Sequence, residues 1–213
     1  MKITWTGHSC FRLEQDGYVI VTDPYEDGKV PGLAPVRETA DLVLCSHEHS
    51  DHNARGLVAL RKDGPACPFK ITKIETWHDE VQGAMRGPNT IHLLEAGGTR
   101  VAHLGDLGCG LTAQQEKLLK DVDVLLIPVG GHYTIDAREA SDLVDLLSPK
   151  HVVPMHFRDD ALGVGFPVIG TVEEFTALRK GVRFAETSEL DTNHLPEEQV
   201  IVLRPENASG WNA

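Results

Sequence analysis

The heptapeptide Ser46–His52, SHEHSDH, sets three histidines and an aspartate in the pattern HxHxDH, directly after the apolar run Leu42–Cys45. Imidazoles and a carboxylate at such density suit divalent metal ligation, because burying them without a compensating ion is costly. One cluster does not complete a site, so further donors must come from elsewhere. His78, Asp106 in HLGDLG and His156 in PMHF each follow a strand-like apolar run and stand where a strand gives way to a loop.

If Leu42–Ser46 is a buried strand, His47 and His49 face one side, since side chains alternate with a period of two. Both imidazoles then reach one ion. Asp51 and His52 fall in the first turn of residues 51–62, DHNARGLVALRK, where Leu57, Val58 and Leu60 fit a helix packed back on the sheet. There they can serve a second ion. Further strand candidates are Ile3–Thr6, Tyr18–Thr22, Lys70–Thr76, Thr99–Leu104, Val122–Ile127 and His151–Pro154. Thr112 with Gln115, Asp136 with Glu139 and Thr171 with Glu174 have capping-box spacing and mark helix starts. Hairpin-like strands early and single helices after later strands predict a layered α/β or α+β sandwich with mixed sheets. Residues 27–35 are expected as a surface loop and 207–213 as a loose tail.

With 213 residues, 41% hydrophobic and 24% charged, the chain reads as one globular domain, 1–213. A net charge of −12 argues against a broad groove for duplex nucleic acid, though not against a small phosphorylated substrate. The absence of a long apolar run and of an apolar leader predicts no membrane span and a cytoplasmic location. Cys10, Cys45, Cys67 and Cys109 form no CxxC pair, so reduced, partly buried thiols are expected. Self-association stays open.

The order HxHxDH, His, Asp, His, with the aspartate in a Gly-Asp dipeptide, resembles the metallo-β-lactamase fold superfamily. More narrowly, TWTGHSCFRL, VTDP, RGPN, AHLGDLG, IPVGGHYTID and PKHVVPMHF look like the small metal-dependent hydrolases related to L-ascorbate-6-phosphate lactonase. The resemblance implies an αβ/βα four-layer sandwich, two mixed sheets flanked by helices, and a two-metal site for Zn²⁺ or Mn²⁺. By position, His47, His49 and His78 would hold the first ion, Asp51, His52 and His156 the second, and Asp106 would bridge.

Paired cations lower the pKa of bound water towards about 7, making a bridging hydroxide available as nucleophile. Asp51 can orient it. The expected enzyme is therefore a dinuclear hydrolase of a small phosphoester, phosphodiester or lactone, nucleotides included. A carboxylate at 106 argues against antibiotic hydrolysis, and His49 in place of glutamate departs from the flavodiiron pattern. Thioesterase and redox iron chemistry are the lesser readings, and a non-catalytic metal- or ligand-binding protein is the alternative of another class. Asp23 either supports a ligand imidazole or caps a turn. His8 either lies near the metals or is a core histidine. Arg86, Asn89, His132, Tyr133 and Arg158 are candidate substrate contacts, as donors to a phosphate. His92, His103, His151 and His194 read as structural, with His103 close enough to Asp106 to support it.

Overall fold

The computed structural model describes residues 1–208. The chain opens with β1 (Lys2–Gly7), β2 (Cys10–Gln15), β3 (Tyr18–Thr22), β4 (Thr39–Ala40), β5 (Leu42–Leu44) and β6 (Ala59–Leu60). It continues with β7 (Lys70–Trp77), β8 (Pro88–Ala96), β9 (Thr99–His103), α1 (Ala113–Leu119), β10 (Val124–Pro128) and α2 (Ala137–Leu147). It closes with β11 (His151–Met155), α3 (Val172–Thr176), β12 (Val182–Phe184), β13 (Glu189–Asp191) and β14 (Val200–Val202).

Two mixed sheets result, in the orders β13-β1-β2-β3-β5 and β12-β14-β11-β10-β9-β8-β7. The first is antiparallel except where β3 runs parallel to β5. The second is parallel from β12 to β9 and antiparallel from β9 to β7. Trp5, Phe11, Leu13 and Ile20 of the first sheet share a core with Ile91, Val101 and Leu126 of the second. Leu119, Val144, Leu147 and Phe175 bring the three helices onto that core. β10 is buried at every residue, as befits a strand covered on both faces. The architecture is an α+β sandwich.

The outer face of the first sheet is covered differently from expectation. Val19 and Val21 alternate away from Ile20 and join Tyr25, Val30, Leu33, Val36 and Val58 in a second cluster, supplied by loops rather than a helix. Residues 51–62 do not form the expected helix: one 3₁₀ turn, Arg55–Leu57, is followed by β6. Their backbone donors go across the chain, Ala54 to the Pro24 carbonyl at 2.8 Å and Ala59 to the Glu38 carbonyl at 2.9 Å, while β6 pairs with β4. Val58 packs inward as the apolar pattern requires, but Leu60 stands exposed.

Residues 27–35 form a loop, yet Val30 and Leu33 are buried in that second cluster. The start of the expected loose tail is anchored, because Asn207 Nδ2 donates to Tyr25 Oη at 3.0 Å and Ala208 bridges to Leu33. Residues 209–213 lie outside the described residues. No helix among the described residues is long and apolar enough to cross a membrane. All four cysteines are free; Cys67 is exposed rather than partly buried.

Candidate metal centre

Strand ends supply the donors. His47, His49, Asp51 and His52 lie on the segment after β5, His78 follows β7, Asp106 follows β9 and His156 follows β11. His8 enters from the turn between β1 and β2. The ligand atoms of His47, His49 and His78 lie within 4.8 Å of one another, and so do those of His8, Asp51, His52 and His156. Asp106 stands between the two groups: its Oδ2 is 3.3 Å from His78 Nε2, 3.9 Å from His47 Nε2, and 3.2 Å from both His52 Nε2 and His156 Nε2.

Those spacings test whether the residues fit metal ions. Charged hydrogen bonds run at about 2.7–2.9 Å, whereas two donors each about 2.1 Å from one tetrahedral ion stand about 3.4 Å apart. The observed separations centre on the second figure. His47 Nε2, His52 Nε2 and Asp106 Oδ1 are buried and have no hydrogen-bond partner among the described residues, and the two imidazole nitrogens stand 3.9 and 3.2 Å from Asp106 Oδ2. Their other atoms are held from behind: His47 Nδ1 contacts Ser46 Oγ at 2.9 Å, and His52 Nδ1 contacts Asp23 Oδ2 at 2.9 Å. Asp23 in turn accepts from Ser46 N at 2.7 Å and from Ser46 Oγ at 2.5 Å. A carboxylate behind a histidine, fixing its tautomer and ring orientation, is the usual outer support of a metal ligand.

The protonation pattern suits cations. Burial, with His52 beside it, pushes His47 down to about 3, and burial with the neighbouring His78 also lowers His49. Their nitrogens are neutral at pH 7 and carry free lone pairs. Against the upward push of burial, His156 and His52 hold Asp106 well below the usual carboxylate range. Against the downward push of burial, Asp106 and Asp23 hold His52 protonated, so an arriving cation would displace that proton.

Backbone geometry explains the Gly-Asp dipeptide. Gly105 has φ +57°, and a Cβ there would run into Asn89 Oδ1 and the Ser46 side chain. Only glycine lets the β9 end approach the loop carrying His47 so closely. Asp106 N then donates to Asn89 Oδ1 at 3.0 Å, and Asn89 Nδ2 donates to Thr76 Oγ1 at 2.8 Å. Asn89 is thus buried behind Asp106 and is no substrate contact, correcting the expectation from RGPN.

The cluster forms the floor of a cavity of about 340 Å³. His49, Asp51, His78, Asp106 and His156 face it; Lys29, Arg86, Tyr133 and Phe166 rise around it. Of the expected substrate contacts, Arg86 and Tyr133 are there, the Arg86 guanidinium lying 5.7 Å from the Tyr133 ring centre. His132 is not: it is exposed, and its carbonyl accepts from Arg86 Nη2 at 3.0 Å. Arg158 is not either, because it pairs with Asp160 at 2.8 Å and donates to the Pro167 carbonyl at 2.7 Å. His103 bonds to the Ser9 carbonyl at 2.8 Å and accepts from Gly105 N, which supports the turn before Asp106.

Sequence reasoning missed Ser46, Lys29, Phe166 and Asp79. Ser46, the residue before the motif, was legible as a hydroxyl adjoining a ligand; Lys29 and Phe166 lie on loops without a motif. Asp79 follows His78, and its carboxylate accepts backbone N–H bonds from Val81, Gly83, Met85 and Arg86 at 2.7–3.0 Å, knotting the loop that presents Arg86.

Comparison with known proteins agrees with this geometry. Residues 2–156 match the family model described as the β-lactamase superfamily domain. A UPF0173 protein of Pyrococcus furiosus is 34% identical over 181 residues, spanning 74% of this chain and 83% of its own. A UPF0173 metal-dependent hydrolase of Carboxydothermus hydrogenoformans is 28% identical over 193 residues, spanning 74% and 84%. A Thermotoga maritima crystal structure from the metallo-β-lactamase superfamily superposes with a TM-score of 0.74 at 35% identity, covering 95% of this chain and 97% of that one. The HxHxDH segment, the three later strand-end donors and the two mixed sheets are therefore those of a member of the β-lactamase superfamily, to which this chain belongs.

Proposed function

We propose that the protein is a metal-dependent hydrolase that binds two divalent cations, Zn²⁺ or Mn²⁺, and acts on a small phosphoester, phosphodiester or lactone. The observation that carries this reading is the placement of Asp106 Oδ2 within 3.2–3.9 Å of four imidazoles drawn from both donor groups, on the floor of an open cavity. The Thermotoga maritima relative is described as a candidate Zn-dependent hydrolase, and the Carboxydothermus relative as a metal-dependent hydrolase, which favours the same chemistry here.

Bound cations would supply Lewis acidity and lower the pKa of coordinated water from 15.7 towards about 7. The chain's own residues do the rest. His47, His49 and His78 would hold one ion, Asp51, His52 and His156 the other, and Asp106 would span both. Asp51, half-buried and lining the cavity, would orient a coordinated water. Lys29 and Arg86 form no ion pair with a carboxylate among the described residues, so two cations are free to meet an anionic substrate in a chain of net charge −12. Tyr133 and Phe166, with ring centres 6.2 Å apart, offer an apolar wall to the rest of it. A cavity of about 340 Å³ suits a small molecule and not a duplex. Burial lifts the Cys45 thiol to about 12 and raises Cys109, which disfavours either of these two as a thiolate nucleophile.

The test is turnover by chelator-stripped protein reloaded with Zn²⁺ or Mn²⁺, assayed on bis(p-nitrophenyl) phosphate, p-nitrophenyl phosphate, a sugar lactone and a thioester. Metal-dependent cleavage of a phosphate ester or the lactone is expected. Protein that holds two ions per chain and cleaves none of the four would overturn the enzyme reading and favour a binding protein.

A further inference from the structure

We propose that His8 is itself a metal ligand, completing the position formed by Asp51, His52 and His156, while the position formed by His47, His49 and His78 stays open to the cavity. The inference rests on the metal-centre reading above and adds a residue to it.

Three features set His8 apart from an ordinary core histidine. It is 2% exposed, yet neither ring nitrogen has a hydrogen-bond partner among the described residues. Buried polar atoms nearly always find one, as His103 does with Ser9 and Gly105. Its backbone is held at φ +54°, a left-handed conformation that strains a non-glycine residue. Two bonds to its carbonyl maintain that conformation, from Trp5 Nε1 at 2.9 Å and from His156 N at 3.3 Å. The strained turn aims the imidazole into the cluster, with its ring centre 4.2 Å from His156 and 5.1 Å from His52.

The donor spacing completes the case. His8 Nε2 is 3.4 Å from Asp51 Oδ2, and the donors of His8, Asp51, His52 and His156 all lie within 4.8 Å of one another. That is the edge of a coordination shell, about 3.4 Å for donors near 2.1 Å from an ion, and longer than a charged hydrogen bond of about 2.7–2.9 Å. Four protein donors plus an Asp106 oxygen exceed the tetrahedral complement that Zn²⁺ prefers, so this position should favour an ion of higher coordination number such as Mn²⁺. His49, by contrast, is exposed and faces the cavity, which leaves the other position open to water and substrate.

Chelator-stripped wild type, His8→Ala and His8→Gln are titrated with Mn²⁺ and Zn²⁺ in competition with a chromophoric chelator. Both variants should lose at least about 100-fold in affinity at one of two positions, more for Mn²⁺ than for Zn²⁺, and leave the other unchanged. If His8 only steadied Asp51 through a hydrogen bond, glutamine would replace it, and His8→Gln binding both ions as wild type does would overturn the proposal. Should the variants fail to fold, Co²⁺-loaded wild type decides by proton NMR: six ligand histidines, His8 with His47, His49, His52, His78 and His156, should give six paramagnetically shifted ring N–H resonances. Five would overturn it. Wild type that binds no cation would defeat the metal-centre reading itself, a failure distinct from loss of the His8 assignment alone.

Discussion

At the cluster, His47 and His52 are oriented by what their second ring nitrogens do. His52 presents Nε2 inward because Asp23 takes its Nδ1, so Asp23→Asn should weaken metal binding about 10–100-fold while leaving the fold intact. Chelator competition measures this. Asp106→Ala removes the carboxylate that stands between both groups and should lower metal content and cut hydrolytic turnover by several powers of ten. Full metal and full rate in that variant would remove Asp106 from its role. Lys29→Gln and Arg86→Gln touch neither group of donors. Each should raise KM for an anionic ester by about 10-fold or more, as loss of a charge-assisted hydrogen bond would, with metal content unchanged. Equal losses on a neutral lactone would show that these side chains do not recognise the anion.

At the scale of elements, the site depends on β5, β7, β9 and β11 delivering the residues that follow them to one cluster, and on turns that let them close. Gly105→Ala places a methyl group against Asn89 and Ser46 in a left-handed backbone, and should cost at least about 2 kcal/mol, lowering Tm by several degrees. A thermal scan with and without Zn²⁺ reads the loss. The strands that carry donors were legible because each is a short, largely apolar run that soon gives way to polar residues, as in Leu42–Leu44 and His151–Met155. The capped starts of α1 and α2 were equally clear, since Thr112 with Gln115 and Asp136 with Glu139 make the reciprocal bonds that their spacing foretells. β8 was missed because His92 and Glu95 interrupt its apolar run, although its antiparallel partners β7 and β9 absorb both residues. β12, β13 and β14 have three residues each, too few to show a period. The helix read over residues 51–62 failed because its backbone donors are used by residues 24 and 38, partners distant in sequence that no periodicity reveals.

Across the whole molecule, burying neutral histidines links folding to pH. His92 is pushed down by burial to about 4 from 6.5, and it is no member of the donor groups. Between those values the unfolded chain takes up a proton that the folded chain refuses. The contribution is therefore complete above pH 6.5 and lost as pH falls towards 4, by up to about 3 kcal/mol. Denaturant unfolding of ion-free protein should show that decline, and His92→Leu should flatten it; an unchanged profile would contradict the burial argument. Cations that bind only the folded chain should raise Tm in proportion to the logarithm of their concentration. The most direct measurement is anomalous diffraction from a crystal grown with Zn²⁺ or Mn²⁺. Two peaks are expected, one among His47, His49 and His78 and one among Asp51, His52 and His156, with the Asp106 carboxylate between them. A single peak elsewhere, or His78 or His156 turned away from an occupied position, would contradict the shared centre.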